Sequence, residues 1–173
     1  MATRRQGREW ALQMLFQSDL NPGLDLDAAI PKFWRQQWTC QMEEAEEQES
    51  DAKEETETKG AKPKSVEDRV APLKIRLFTE KLARGVLAHL PEIDEKLKSY
   101  TLNWPMHRMG SVERNVLRLA FYELMFCEDV PAPVVLNEAI DLAKYFSNAE
   151  AGRFVNGILD KLNKELHGPR VGK

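Results

Sequence analysis

The sequence predicts an all-α fold of about seven helices and no sheet. Apolar residues recur at three- and four-residue spacing in one segment after another. Strand-like alternation is absent, no internal repeat is visible, and Pro, Gly and Asn clusters separate the periodic segments. At 173 residues the chain is long enough for one domain with a real core.

The first helix is expected from about Arg4 to Leu20, with Trp10, Ala11, Met14 and Leu15 as its stripe and Asn21-Pro22-Gly23 as its stop. A second runs from about Asp25 to Gln41, burying Ile30, Phe33, Trp34 and Trp38. Pro31 is read as near its first turn, where a missing N–H is tolerated because it would be unpaired anyway. Periodicity returns from Leu73 to Leu90, and Pro91 opens a fourth helix to about Tyr100. Asn103-Trp104-Pro105 reads as a connection to a short piece at 106–110, after which Ser111 is the expected N-cap of the next helix. That helix, about Val112 to Cys127, is apolar on most sides and should be central. Pro131-Ala132-Pro133 precedes a helix over about 134–146. Ser147-Asn148-Ala149-Glu150 fits a capping box for the last, which buries Val155, Ile158, Leu159 and Leu162 and ends near Leu166.

Between the second and third helices charge takes over. Residues 43–68 hold eleven acids against four lysines, a net −7, so the remainder carries +4 of a total of −3. Residues 43–72 have almost no aliphatic content and are expected to form an acidic, flexible insert within a single domain spanning 1–173, with some extension of the second helix into it allowed. A mildly basic body beside an acidic insert points weakly towards nucleic acid.

Several function classes are excluded by pattern. Cys40 and Cys127 are isolated, with no C-x-x-C, and the three histidines are scattered, which leaves neither a disulfide framework nor a local metal motif. No apolar run approaches the ~18 residues of a membrane span. The start of the chain reads as a mature helix rather than a leader, and the expected compartment is the reducing cytoplasm. No G-x-S-x-G, P-loop, G-x-G-x-x-G or H-E-x-x-H is present, and Glu113 and Glu123 are too far apart on one helix to act as a pair. The expectation is a protein without catalytic residues, metal or cofactor.

Three charged groups stand out. On a helix, Arg4, Arg5 and Arg8 fall at about 0°, 100° and 40°, within one arc pointing away from the Trp10–Met14 stripe. Guanidinium forks suit phosphate oxygens. Taken alone, three basic residues are better explained as a solvated helix start, although cations sit unfavourably at a helix N-terminus, which hints at a partner. The second group is Glu150, Arg153, Phe154 and Asn156. Phe154 suits base stacking and Arg153 a phosphate, while capping, core packing and close approach at Asn156-Gly157 are the alternatives. The third is Glu113, Arg114 and Arg118, either a protein-binding rim or charges paired with neighbours.

Three blocks of sequence carry a resemblance to a known family. They are Arg4-Arg5-Gln6-Gly7-Arg8-Glu9-Trp10-Ala11-Leu12-Gln13-Met14-Leu15-Phe16; Val112-Glu113-Arg114-Asn115-Val116-Leu117-Arg118-Leu119-Ala120-Phe121-Tyr122-Glu123-Leu124; and the stretch from Asp129 to Leu162, with Leu136-Asn137-Glu138-Ala139-Ile140-Asp141-Leu142-Ala143-Lys144 and Arg153-Phe154-Val155-Asn156-Gly157-Ile158-Leu159-Asp160. Together they resemble the NusB family of bacterial transcription antitermination factors, over residues 4–42 and 73–167. The resemblance implies two small helical bundles packed together. It also implies binding of the boxA element of ribosomal RNA transcripts with NusE, a small-subunit ribosomal protein, in a complex with RNA polymerase and other Nus factors, and no cofactor.

Carried over by position, the family's arginine-rich start falls on Arg4, Arg5 and Arg8, and its second RNA-facing patch on Glu150, Arg153 and Phe154. Its NusE-facing surface falls on Phe16, Glu113 and neighbours, with Arg114 and Arg118 on the same rim. Such a face also permits a homodimer when NusE is absent. Gln6 interrupts the basic run, and the acidic insert is longer than usual for the family. The rival from another class is a NusB-like accessory domain of a ribosomal-RNA methyltransferase, but no Rossmann unit or catalytic cysteine motif lies within these residues. The third alternative is a purely structural helical interaction domain. The mechanism expected of the preferred reading is a single groove, formed by cations and an aromatic at two helix beginnings, for an unpaired RNA strand.

Overall fold

The computed structural model describes residues 3–49, 70–102 and 104–168. Seven α-helices are described: α1 Arg4–Leu20, α2 Leu26–Glu49, α3 Leu73–Ala88, α4 Leu90–Tyr100, α5 Ser111–Phe126, α6 Ala132–Phe146 and α7 Ala149–His167. A single 3₁₀ turn, Met106–Arg108, lies between α4 and α5, and no strand occurs among the described residues. No helix among them is long and apolar enough to cross a membrane.

The all-apolar helix is central, as its composition requires. α5 packs against α1, α3, α4, α6 and α7. It buries Val116, Leu117, Leu119, Ala120 and Phe121 in a core shared with Leu82, Ile93, Leu142, Val155 and Leu159. A second, smaller core joins α1, α2 and α3 through Trp10, Met14, Phe33, Trp34 and Ala83. Trp10 meets Trp34 edge-on at 5.3 Å, and the indole N–H of Trp34 donates to Glu80 at 2.9 Å, so each large ring is packed and the buried polar end satisfied. The two cores are the two small bundles, sewn together by α1 and α3.

Several expectations need correction. α2 continues to Glu49 rather than ending near Gln41, and Val70 and Ala71, 7% and 2% exposed, belong to the second core. Of the stretch 43–72 expected as a flexible insert, residues 43–49 continue α2, an extension the sequence allowed, Val70 and Ala71 are buried, and residues 50–69 lie outside the described ones. Pro31 sits inside α2 rather than in its first turn, omitting one backbone hydrogen bond while Ile30, Phe33 and Trp34 anchor the helix on either side. Ser111 is the first residue of α5, not its cap; Gly110 holds that place without a side-chain bond.

At α7 the cap lies one residue later than the Ser-x-x-Glu pattern places it. Asn148 is the N-cap, its side-chain oxygen accepting from the Ala151 N–H at 2.9 Å, while the Ser147 hydroxyl donates to Glu113. Asn148→Ala is expected to cost about 1 kcal/mol, and Ser147→Ala less, in urea titrations of the two variants.

Candidate nucleic-acid interface

Thr3 caps α1 by accepting from the Gln6 N–H, and this fixes where the three arginines point. Arg4 is exposed, its guanidinium 5.3 Å from the centre of the Phe78 ring on α3. Arg5 is half-exposed and reaches Asp141 on α6 at 3.3 Å and Glu9 at 3.6 Å. Arg8 departs from the expected solvent-facing arc. It is 3% exposed, and its Nε and Nη2 donate to the two carboxylate oxygens of Glu123 on α5, at 2.9 and 2.8 Å. A helix surrounded by α3 and α5 has little free arc, and the core closes over its third arginine. Arg8 is a buried structural cation, not a phosphate ligand.

The third group is corrected likewise. Arg118 is 8% exposed and gives a fork to Asp94 on α4 at 2.8 Å and a third bond to Asp19 on α1 at 2.9 Å. Arg114 binds Asp19 and the Met106 and Met109 carbonyls. Burial alone would raise the Asp19 carboxyl, but the hydrogen bonds and charges of Arg114 and Arg118 outweigh it and hold it below the ordinary carboxylate range. These arginines tie helices together through intramolecular partners rather than standing free at a rim. Glu113 lies at the edge of this network, accepting from Ser147. Phe16 is half-buried in a separate groove with Leu12, Val112 and Phe146, bordered by glutamines of α1 and α2.

At the start of α7 the expected residues are brought together. Arg153 is 76% and Glu150 87% exposed at their side chains, 3.9 Å apart, a surface pair that competes weakly with any other partner. Phe154 is half-buried and lines two adjoining grooves. One, of about 540 Å³, continues along Tyr100, Trp104, Arg153, Gly157 and Lys161. The other includes Trp104, Arg108, Glu113 and Glu150.

The second wall of both grooves is the segment joining α4 to α5, not α1. The basic start of α1 and the patch on α7 are instead connected through α6. Arg5 reaches Asp141, and one turn on, Lys144 lies so close over Gly152 of α7 that a Cβ there would meet it at 2.6 Å. The two patches flank one stretch of α6 and do not share the two grooves that Phe154 lines.

A family model described as NusB family matches residues 5–164 of this sequence. The chain belongs to the NusB family. The transcription antitermination protein NusB of Desulfitobacterium hafniense is 38% identical over 166 residues, covering 95% of this chain and 90% of the relative. The solved structure of T. maritima NusB is similar at a TM-score of 0.69 and 31% identity, across 98% of this chain and 95% of that one. A chain in the crystal structure of antitermination factors NusB and NusE in complex with dsRNA shares the fold, at a TM-score of 0.65 and 24% identity over 94% of this chain and 96% of that one.

In this NusB-family chain the two grooves also hold Trp104, Arg108 and Lys161, which the sequence did not single out. The signal for Trp104 was available: a tryptophan between Asn and Pro in a connection has no helix face to bury it, and it is 51% exposed. Among the described residues no group of three or more His, Cys, Asp or Glu is placed to hold a metal ion.

Proposed function

We propose that this chain recognises single-stranded boxA-type RNA of ribosomal transcripts together with NusE. In this reading it acts in the cytoplasm, without chemistry of its own, within the transcription antitermination assembly of RNA polymerase and other Nus factors. Family membership supports the class of function. The observation that carries the RNA reading is that Arg5 and Arg153, with side chains 46% and 76% exposed, stand at two helix starts flanking the Asp141–Lys144 stretch of α6. Unsealed guanidinium groups at helix starts engage phosphates, and the Phe154 ring beside Arg153 offers a base a stacking face. Glu150 accepts from base or sugar donors. Phe16, in its separate groove, is assigned to the NusE-facing side.

The test is fluorescence anisotropy with boxA and scrambled RNA, each with and without NusE. boxA is expected to bind more tightly, with the gap widening when NusE is added. Equal, weak binding of both RNAs in every condition would favour the purely structural interaction domain. With Arg4 and Arg5 both changed to Ala, the dependence of log affinity on log salt should flatten by roughly 0.7 for each phosphate no longer neutralised. Glu150→Ala leaves that slope unchanged.

A further inference from the structure

Four tryptophans occur in the chain, and they divide sharply. Trp10 and Trp34 are 3% and 1% exposed, Trp38 is half-buried, and Trp104 is 51% exposed. An indole left in water at the mouth of a groove has no packing reason to be there. Phe154 lines the same groove.

Charge around these rings is partitioned. On the side towards α4 the lining holds the cations Arg153 and Lys161 and no carboxylate. On the other side it includes Glu113 and Glu150 beside one cation, Arg108. Phosphate is therefore favoured on the first side, with two cations and no carboxylate, over the second, where two carboxylates outnumber one cation. Carboxylate oxygens accept hydrogen bonds from the amino and imino groups on base edges.

Gly157 supplies an independent observation. Glycine inside a helix loses stability relative to alanine and is tolerated where two backbones must approach. Gly152 meets that description, but a Cβ on Gly157 would find nothing within 4 Å. It faces the groove beside Arg153 and Lys161. The sequence expectation that Gly157 permits close helix packing is thus not met. What its missing side chain provides is open space between the cations and the rings, a local rule broken where a ligand would lie.

We infer that the groove between Trp104 and Phe154 is a stacking site for one unpaired nucleotide, its phosphate held by Arg153 and Lys161 and its base edge turned towards Glu113 and Glu150. This rests on the RNA-binding reading and extends the strand's path from α7 onto the α4–α5 connection. It also predicts a base preference, because cytosine, adenine and guanine carry an exocyclic amino donor for the two carboxylates, whereas uracil offers only its ring imino N–H between two carbonyl oxygens that the carboxylates repel.

The experiment uses the full chain, with NusE, and follows both anisotropy and tryptophan fluorescence on titration with boxA RNA. Oligocytidylate and oligouridylate of equal length serve as further probes. RNA is expected to quench the emission of the exposed indole, and Trp104→Phe to abolish the quench while keeping most of the affinity. Trp104→Ala should weaken binding about tenfold. Gly157→Leu, which fills the space without entering the core, should weaken it comparably with the far-ultraviolet circular dichroism unchanged. Oligocytidylate should bind more tightly than oligouridylate, and Glu113→Gln with Glu150→Gln should narrow the difference. If wild type binds boxA RNA while Trp104→Ala and Gly157→Leu bind it equally well, the subsite is overturned and the RNA-binding reading stands. If wild type binds none of the RNAs, with or without NusE, both fall.

Discussion

Glu123→Ala is expected to destabilise the protein by about 3–5 kcal/mol, the range for removing one member of a buried ion pair. Arg8 and Glu123 are 3% and 2% exposed and joined by a two-pronged hydrogen bond. Without the carboxylate, a guanidinium that cannot lose its proton is left between α1, α3 and α5 with no anionic partner. Arg8→Ala should cost a similar amount through the stranded carboxylate. Replacing both by Met and Leu should cost much less than the two single losses combined, because the burial penalty disappears with the charges. Urea unfolding of the four proteins measures this directly. A near-zero effect of Glu123→Ala would mean that water reaches the pair. Arg8→Ala protein that still folds should retain the wild-type salt dependence of RNA binding, unlike the Arg4 and Arg5 variant.

The second large effect is at Arg118. Its fork to Asp94 and its bond to Asp19 tie α4 and α1 to the central α5. Arg118→Ala removes three charge-assisted bonds and leaves two carboxylates short of a partner, at a cost of about 2–4 kcal/mol. The figure is below that for Glu123 because the Asp19 and Asp94 side chains are 15% and 22% exposed and recover some hydration.

The same network sets a pH dependence. The folded protein holds the Asp19 carboxyl below its ordinary value, so the unfolded chain takes up this proton first as pH falls. The stabilisation is complete above the ordinary carboxylate range and is lost as pH drops through it to the folded value. Asp19→Asn should therefore lower stability at neutral pH and flatten its decline below about pH 4. A decline as steep as wild type would place the acid sensitivity elsewhere.

Much of the fold was legible because helix burial is periodic. Val116, Leu117, Ala120 and Phe121 marked α5 as central before any neighbour was known. Charged residues resisted, for one reason. An arginine's place on a helical wheel says which way it leaves the helix, not whether a carboxylate from another helix waits there. Arg8 read as a surface group, and Arg114 and Arg118 as either a rim or paired charges, because their partners Glu123, Asp19 and Asp94 lie at least 24 residues away or on another helix. Arg153 and Phe154 were found because the helix start that presents them is local. Trp104 was legible only through its lack of a helix face to bury it, since a connection has no period to read. The cap of α7 slipped by one residue because Ser147 and Asn148 are both good caps, and Glu113, distant in sequence, claims the serine.

The sealing of Arg8 has one more consequence. Mobile ions cannot enter a site from which water is shut out, so dissolved electrolyte leaves the Arg8–Glu123 clasp nearly untouched while it screens Arg4, Arg5 and Arg153 outside. Ionic strength thus becomes a dial that turns adhesion to a polyanion up or down while the helical scaffold beneath holds still.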